Sequence, residues 1–422
     1  MAEPDTDHLR EWAASGELRE WAASGAMALT GRRDGPPIAA PGSAATMTTA
    51  ALRDVAETTV QRTGRAPALP GAQILGERAA IAGLQRAGPL SCGGAFRVLA
   101  TSDGWLGLSL PRPSDLELIP ALIESDVPPD VWVAVSAWAA STTTRAAAER
   151  VALLGMAGGA VPDPHRTDRA GVLVSEYGPR RHRRERPRVV DLTALWAGPL
   201  CAHLLDLGGA EIIKVESTRR PDGARFGPAR FFDLLHGGHD MVALDFHDPQ
   251  AIDALRELLA DADLVLESSR PRALAQLGIE ATEIVAAGTS WLSITARGRD
   301  DDGVGFGDDV AAAAGFVVAD GTDLLPCGDA LADPLAGVRA AASASTALLA
   351  ERACLIDVSM LHVAAEAAAG PPAEEHCVHF HDDTWWVHTS GGRFPVHDPV
   401  ARTPRVAAAA LGAANARWLG RQ

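Results

Sequence analysis

Lysine is all but missing from this chain, with Lys214 the only one among 422 residues. Arginine supplies the rest of the 38 basic residues, against 54 acidic ones, for a formal net charge of -16. That balance argues against non-specific nucleic-acid or anionic-membrane binding, because the summed field repels both. An anion can be held only locally, by clustered arginines, backbone N–H groups or helix N-termini. Cysteine is scarce too: Cys92, Cys201, Cys327, Cys354 and Cys377 are odd in number and scattered, with no CxxC pair. This is neither a disulfide framework nor a zinc knuckle, and it suits a reducing cytoplasm. No run approaches the ~20 apolar residues of a membrane span. Met1–Asp5 lacks the basic and apolar regions of a signal peptide, so neither leader nor membrane segment is expected.

What is present is a globular composition, 47% hydrophobic and 22% charged, on a length that implies two or three domains. The octamer Leu-Arg-Glu-Trp-Ala-Ala-Ser-Gly stands at 9–16 and again at 18–25. One tandem copy is not a solenoid, and it reads as one amphipathic helix. Ala95–Thr101 and Trp105–Ser109 flank Ser102-Asp103-Gly104, a hairpin signal. Helical stretches follow near 113–124, 129–139 and 144–154, so this block reads as a small α+β unit. The segment 178–188 is basic and bounded by prolines; without interleaved aromatics it reads as a solvated linker.

Beyond it the texture changes. Strands are expected at Val189–Thr193, Glu211–Val215, Met241–Asp245, Asp263–Glu267 and Trp291–Thr295. Between them lie helices, one opening at Pro199 and closing at Gly208-Gly209, another opening at Asp248-Pro249. Such alternation implies an α/β fold, a Rossmann-like doubly wound parallel sheet, beside the smaller α+β domain. Ligands of such sheets bind in the crevice beyond the strand C-termini.

The ordered motifs VVDLT with Ala197-Gly198-Pro199, LLDLGGAEIIKVE (204–216), Val242–Asp245, ADADLVLE (260–267) with Arg270-Pro271, Leu331-Ala332-Asp333 with Gly337, and Ile356–Ser359 resemble the family III coenzyme A transferases. That group includes formyl-CoA and carnitine-CoA transferases and α-methylacyl-CoA racemases. The resemblance spans about 189–365. Trp21–Pro37, Ala95–Leu110 and Gly391–Gly420 resemble further pieces of the same family, as though a partial, rearranged copy stood before a more complete one. The expected units are thus a partial family-like segment (1–177), the linker (178–188), the Rossmann-like transferase domain (189–365) and a C-terminal segment (366–422).

The resemblance implies a function: moving coenzyme A between carboxylic acids through an aspartyl anhydride and an aspartyl-CoA thioester, with Asp333 as nucleophile. Asp333 also fits an N-cap before Pro334. Matching positions for coenzyme A binding are Ala197, Gly198, Pro199, Lys214, Arg225, Arg270 and Arg272; Lys214 fits equally a structural ion pair. No resident cofactor is implied, because the acyl-CoA is substrate. Partners would be acyl-CoA and a carboxylic acid, in a homodimer, or an internal pseudo-dimer if the chain carries parts of two copies. A degenerate acyl-CoA-binding or partner-subunit homologue is the alternative. A racemase is disfavoured, since Gly307-Asp308-Asp309 stands where that group has Gly-His-Asp, and Asp308 and Asp309 read as a solvent-facing capping pair. His376, His379, His381 and His388 with Cys377 fit no standard zinc spacing, so no metal is expected.

Overall fold

The computed structural model describes residues 16–126, 129–269, 271–370 and 375–420. The first copy of the octamer lies almost wholly outside them, and the second is helical over 16–24, with Leu18 and Trp21 buried. The small unit is a three-stranded antiparallel sheet, β1 (Phe96–Ala100), β2 (Trp105–Ser109) and β3 (Ala157–Ala160). The stretch near 113–124 forms two short helices, Pro113–Glu117 and Ile119–Ile123; Val131–Ala140 and Thr144–Leu153 follow. Leu99, Leu106, Leu108, Ile119, Leu122, Val135 and Val151 give this unit a core of its own.

The large sheet contains β4 (Val172–Pro179), β5 (Arg188–Leu192), β6 (Glu211–Ser217), β7 (Asp240–Leu244), β8 (Leu264–Glu267) and β9 (Ser290–Thr295). A hairpin, β10 (Val317–Asp320) and β11 (Asp323–Pro326), precedes its last strand, β12 (Arg352–Ser359). The order is β4-β12-β9-β8-β5-β6-β7, parallel throughout except β4, which runs antiparallel to β12. Without that edge strand this is the doubly wound order in which the chain leaves its first strand in one direction and returns in the other. The reversal lies between β5 and β8, so a crevice opens beyond Leu192 and Glu267. The central strands are continuous apolar runs because both faces are covered. Ala44–Thr63, Ala197–Leu207 and Ala332–Leu349 cover one face, and Pro249–Ala260 and Ala281–Ala286 the other. A meander, β13 (Cys377–His381), β14 (Thr384–Thr389) and β15 (Gly392–Pro395), follows. At the far edge, Asn415 bonds both backbone groups of Ala243 on β7 at 2.9 Å, which blunts an otherwise open strand.

Two readings of the organisation change. The division expected between 177 and 178 falls inside β4, and residues 17–75 share one core with the large sheet. The segment 178–188 is not a free linker either. Arg180, its side chain 3% exposed, and Arg184 both pair with the buried Asp263. A buried carboxylate draws the guanidinium groups inward, where their charge is compensated. No helix among the described residues is long and apolar enough to cross a membrane.

Candidate active site

Asp333 sits in the first turn of the Ala332–Leu349 helix, whose N-cap is Leu331. It is therefore not the capping residue. Its carboxyl borders two cavities. One, of about 230 Å³, is the switch-point crevice, walled by Ala197 and Gly198 after β5, Ser268 and Ser269 after β8, Thr295 at the end of β9 and Gly305 beyond it. The other, of about 300 Å³, opens toward the small unit between Arg78, Trp196, Phe231 and Phe306. Leu195 and Phe306 border both. The N-terminal end of the Gly307–Ala314 helix presses against Asp333: a Cβ on Gly307 would stand 2.5 Å from Asp333 Oδ2 and 2.2 Å from the Ala330 carbonyl oxygen. Only glycine allows that approach.

Carboxyl groups crowd around Asp333. Asp308 lines the second cavity and accepts from the Ala330 N–H at 2.8 Å. Asp309 is buried and accepts from Ser109 Oγ at 2.8 Å and the Phe306 N–H at 3.0 Å. Asp329 is fully buried and accepts from Arg78 Nε at 2.9 Å and Cys92 Sγ at 3.2 Å. Arg78 is the cation that bonds within this group, and it also stacks over Trp196 at 5.3 Å. Burial, reinforced by the neighbouring carboxylates and opposed by Arg78, pushes the Asp333 carboxyl up to about 7. The same desolvation raises Asp309 to about 7 and Asp308 to about 6. Position at a helix N-terminus favours the ionised form, and here desolvation and like charge outweigh it. Asp308 and Asp309 are not a solvent-facing pair, although Asp309 does cap its helix.

The loop dividing the two cavities is held from below by Lys214. Its side chain is fully buried, with Nζ 3.2 Å from Asp222 and 3.6 Å from Asp191, and it donates to the Thr193 carbonyl. Asp191 accepts from the Thr193 N–H at 2.8 Å, and Asp222 from the Leu195 N–H at 3.0 Å. Leu195 is left-handed (φ 69°), as is Ala330 (φ 44°) before Asp333. Two non-glycine residues in that region, both at one site, mark backbone that its surroundings hold in place.

The residues expected to bind coenzyme A therefore divide. Ala197 and Gly198 line the crevice, while Pro199 is buried within the helix behind it. A Cβ on Gly198 would stand 2.2 Å from Thr193, so the close approach there is made by a side chain. Lys214 does not reach the crevice; it is the structural ion pair, but with Asp191 and Asp222. Arg225 is turned away, its guanidinium on both Glu216 oxygens and stacked 4.3 Å over Phe232. Burying Glu216 left it needing that partner. Arg272 is half-exposed, pairs loosely with Asp302 at 3.4 Å, and lines a larger cleft of about 1060 Å³ that meets the crevice at Asp301–Val304. Arg270 lies outside the described residues. Arg78, Asp329 and Ser109 escaped sequence reading, since nothing local distinguishes them and only folding brings them to Asp333. Away from this site, His203, Asp206 and His239 bring ligand-type atoms within 4.8 Å of one another, but Arg402 bonds His203 and Arg405 bonds Asp206.

Residues 186–381 match the family model described as CoA-transferase family III. Succinyl-CoA–D-citramalate CoA-transferase of Chloroflexus aurantiacus is 31% identical over 176 residues, covering 38% of this chain and 44% of that protein. Succinyl-CoA:glutarate CoA-transferase of Mus musculus is 31% identical over 121 residues, covering 26% and 28%. A crystal structure of a hypothetical protein (Rv3272) from Mycobacterium tuberculosis aligns with a TM-score of 0.38 and 30% identity, over 42% of this chain and 55% of that one. The chain spans less than half the length of these two curated relatives. Over residues 186–381, just under half of its length, the chain is thus similar to CoA-transferase family III.

Proposed function

We propose that the chain transfers coenzyme A between carboxylic acids, with Asp333 as the covalent nucleophile. The observation that carries this is the placing of Asp333 at the junction of two cavities, one for a thioester arm in the switch-point crevice and one for an acyl group. In the reaction, an Asp333 carboxylate oxygen attacks the thioester carbonyl carbon, the C–S bond breaks and coenzyme A leaves as thiolate. The thiolate attacks the Asp333 carbonyl carbon of the mixed anhydride, releasing the first acid and leaving an aspartyl-CoA thioester. The acceptor carboxylate attacks that thioester, forming a second anhydride and freeing the thiolate again. Thiolate attack on the acceptor's acyl carbon gives the new acyl-CoA and restores the Asp333 carboxylate. Each step exchanges one acyl bond for another, so no oxidant or hydrolytic water is required.

Only ionised Asp333 attacks. With its carboxyl near 7, kcat/KM should climb as pH rises through that value and then level off. Ala197 and Gly198 stand in the first turn of their helix beside the crevice, where an N–H donor would act on a developing oxyanion. For the coenzyme's phosphates we propose the cleft that Arg272 borders, with Arg270 beside it in sequence.

The test is transfer from a panel of acyl-CoAs to free acids, with hydroxylamine trapping of the acyl-enzyme. Wild type should transfer and be trapped at Asp333, and Asp333→Ala should lose at least about 10³-fold in kcat, as removal of a covalent nucleophile does. Wild type that neither transfers nor is trapped would mean that the chain binds acyl-CoA, or a partner, without catalysis.

A further inference from the structure

The cavity on the small-unit side of Asp333 has a composition that selects its occupant. Its walls are Leu195, Trp196, Pro228, Phe231 and Phe306, with one cation, Arg78. Trp196 and Phe231 meet edge to face at 5.6 Å, which fixes the rings as a rigid apolar wall. An apolar cavity of ~150 Å³ accepts a benzene ring, so about 300 Å³ holds a ring together with a short chain. Arg78, the group that could greet an anion, is already spent: its guanidinium donates twice to the fully buried Asp329 and lies over Trp196. Asp308 and Asp333 face the same space, and Asp309 is buried just behind them. Carboxyls thus outnumber the guanidinium, and an incoming anion would meet like charge with no uncommitted cation on these walls.

We infer that the acyl group seated beside Asp333 is bulky and apolar and carries no second carboxylate: an aryl-substituted or branched-chain monocarboxylic acid. This rests on the transferase reading of Asp333. A dicarboxylic acid would have to bring its distal charge in without a free partner, and sites with committed polar groups discriminate strongly against such mismatches.

The experiment is calorimetric titration of the full chain with two probes, S-(3-phenylpropanoyl)pantetheine and S-glutarylpantetheine. They share the thioester and the pantetheine arm and differ in the end that reaches the cavity. The aryl thioester should bind at least about tenfold more tightly. Glutaryl binding of equal or greater strength overturns the inference, as does failure of the aryl probe to bind up to millimolar concentration. Asp329→Asn frees Arg78 and should strengthen the glutaryl probe, narrowing the ratio by about tenfold. Ala224→Phe, which narrows the cavity from its wall, should weaken the aryl probe more than the glutaryl one; it keeps the question answerable if Asp329→Asn does not fold. A ratio unchanged in every folded variant overturns the inference. The same titration of Asp333→Asn, which no thioester acylates, reads binding without turnover, so a preference for the aryl probe stands even if the transfer assay fails, and the two failures remain separate.

Discussion

A carboxyl that ionises near 7 stores a cost in the native state that one ionising near 4 does not. Asp333 binds its proton in the folded chain between its ordinary 3.8 and about 7, an interval in which the unfolded chain has already lost it. Stability therefore falls as pH rises through that interval. Asp333→Asn should raise stability at pH 8 by several kcal/mol, at ~1.4 kcal/mol per pH unit over the interval from 3.8 to about 7, and have no such effect at pH 4, where both side chains are neutral. Thermal melts of both proteins at the two pH values check this, and an equal shift at both would mean that the charge is not the cause. Lys214 shows the converse. Burial lowers its affinity for a proton, but Asp191, Asp222 and Glu216 together more than restore it. Lys214→Met leaves two buried carboxylates without their cation and should cost about 3–5 kcal/mol, read by denaturant titration. Loss of under about 1 kcal/mol would show that the cluster relaxes without it.

Elements place the Asp333 carboxyl through contacts that tolerate no added bulk. The Ala332–Leu349 helix carries Asp333 and lies against the Ala197–Leu207 helix at Gly337, where a Cβ would stand 2.7 Å from the Ala197 carbonyl oxygen. Gly337→Val must push the two helices apart, moving Asp333 away from the Ala197–Gly198 wall. Overpacking of this kind costs about 1–3 kcal/mol, and the displacement should lower kcat more than stability alone explains. Activity measured well below the melting temperature separates the two effects. A variant that melts early but works at full rate when folded would show that the helix contact does not set the site.

Across the whole molecule, burial has placed several titratable groups in opposition. His203, His236 and His239 are all buried, and His236 and His239 have ring nitrogens with no hydrogen-bond partner. Burial first, and then nearby cations, lowers all three, His239 to about 3. Below 6.5 the unfolded chain takes up protons that these rings refuse, so their contribution falls as pH drops from 6.5 toward 3. Asp308, Asp309 and Asp333 act in the opposite sense over much of the same range. His239→Leu removes one side of that opposition. Its stability relative to wild type should improve by about 2 kcal/mol on going from pH 8 to pH 5, measured by denaturant titration at both. No change between the two would mean that His239 is not held neutral by its surroundings.

The strands from 188 to 295 and the hairpin at 96–109 were legible in the sequence because each is specified by its own residues: apolar runs of strand length, Pro and Gly at helix ends, Asp-Gly at the turn. The ordered motifs around those strands carried the family and the position of Asp333 with it. What the chain cannot state locally is which partner each charge will find. Arg225, Arg272 and Lys214 read alike as candidate anion ligands, and packing committed the first to Glu216, left the second at a cleft mouth and buried the third under the loop at 193–195. Arg78 and Asp329 lie far from each other in sequence, and only the shared core of residues 17–75 with the large sheet brings them together beside Asp333. Sequence fixes local propensity because that depends on near neighbours; the charge and shape of the cavity depend on distances that exist only once the chain has folded.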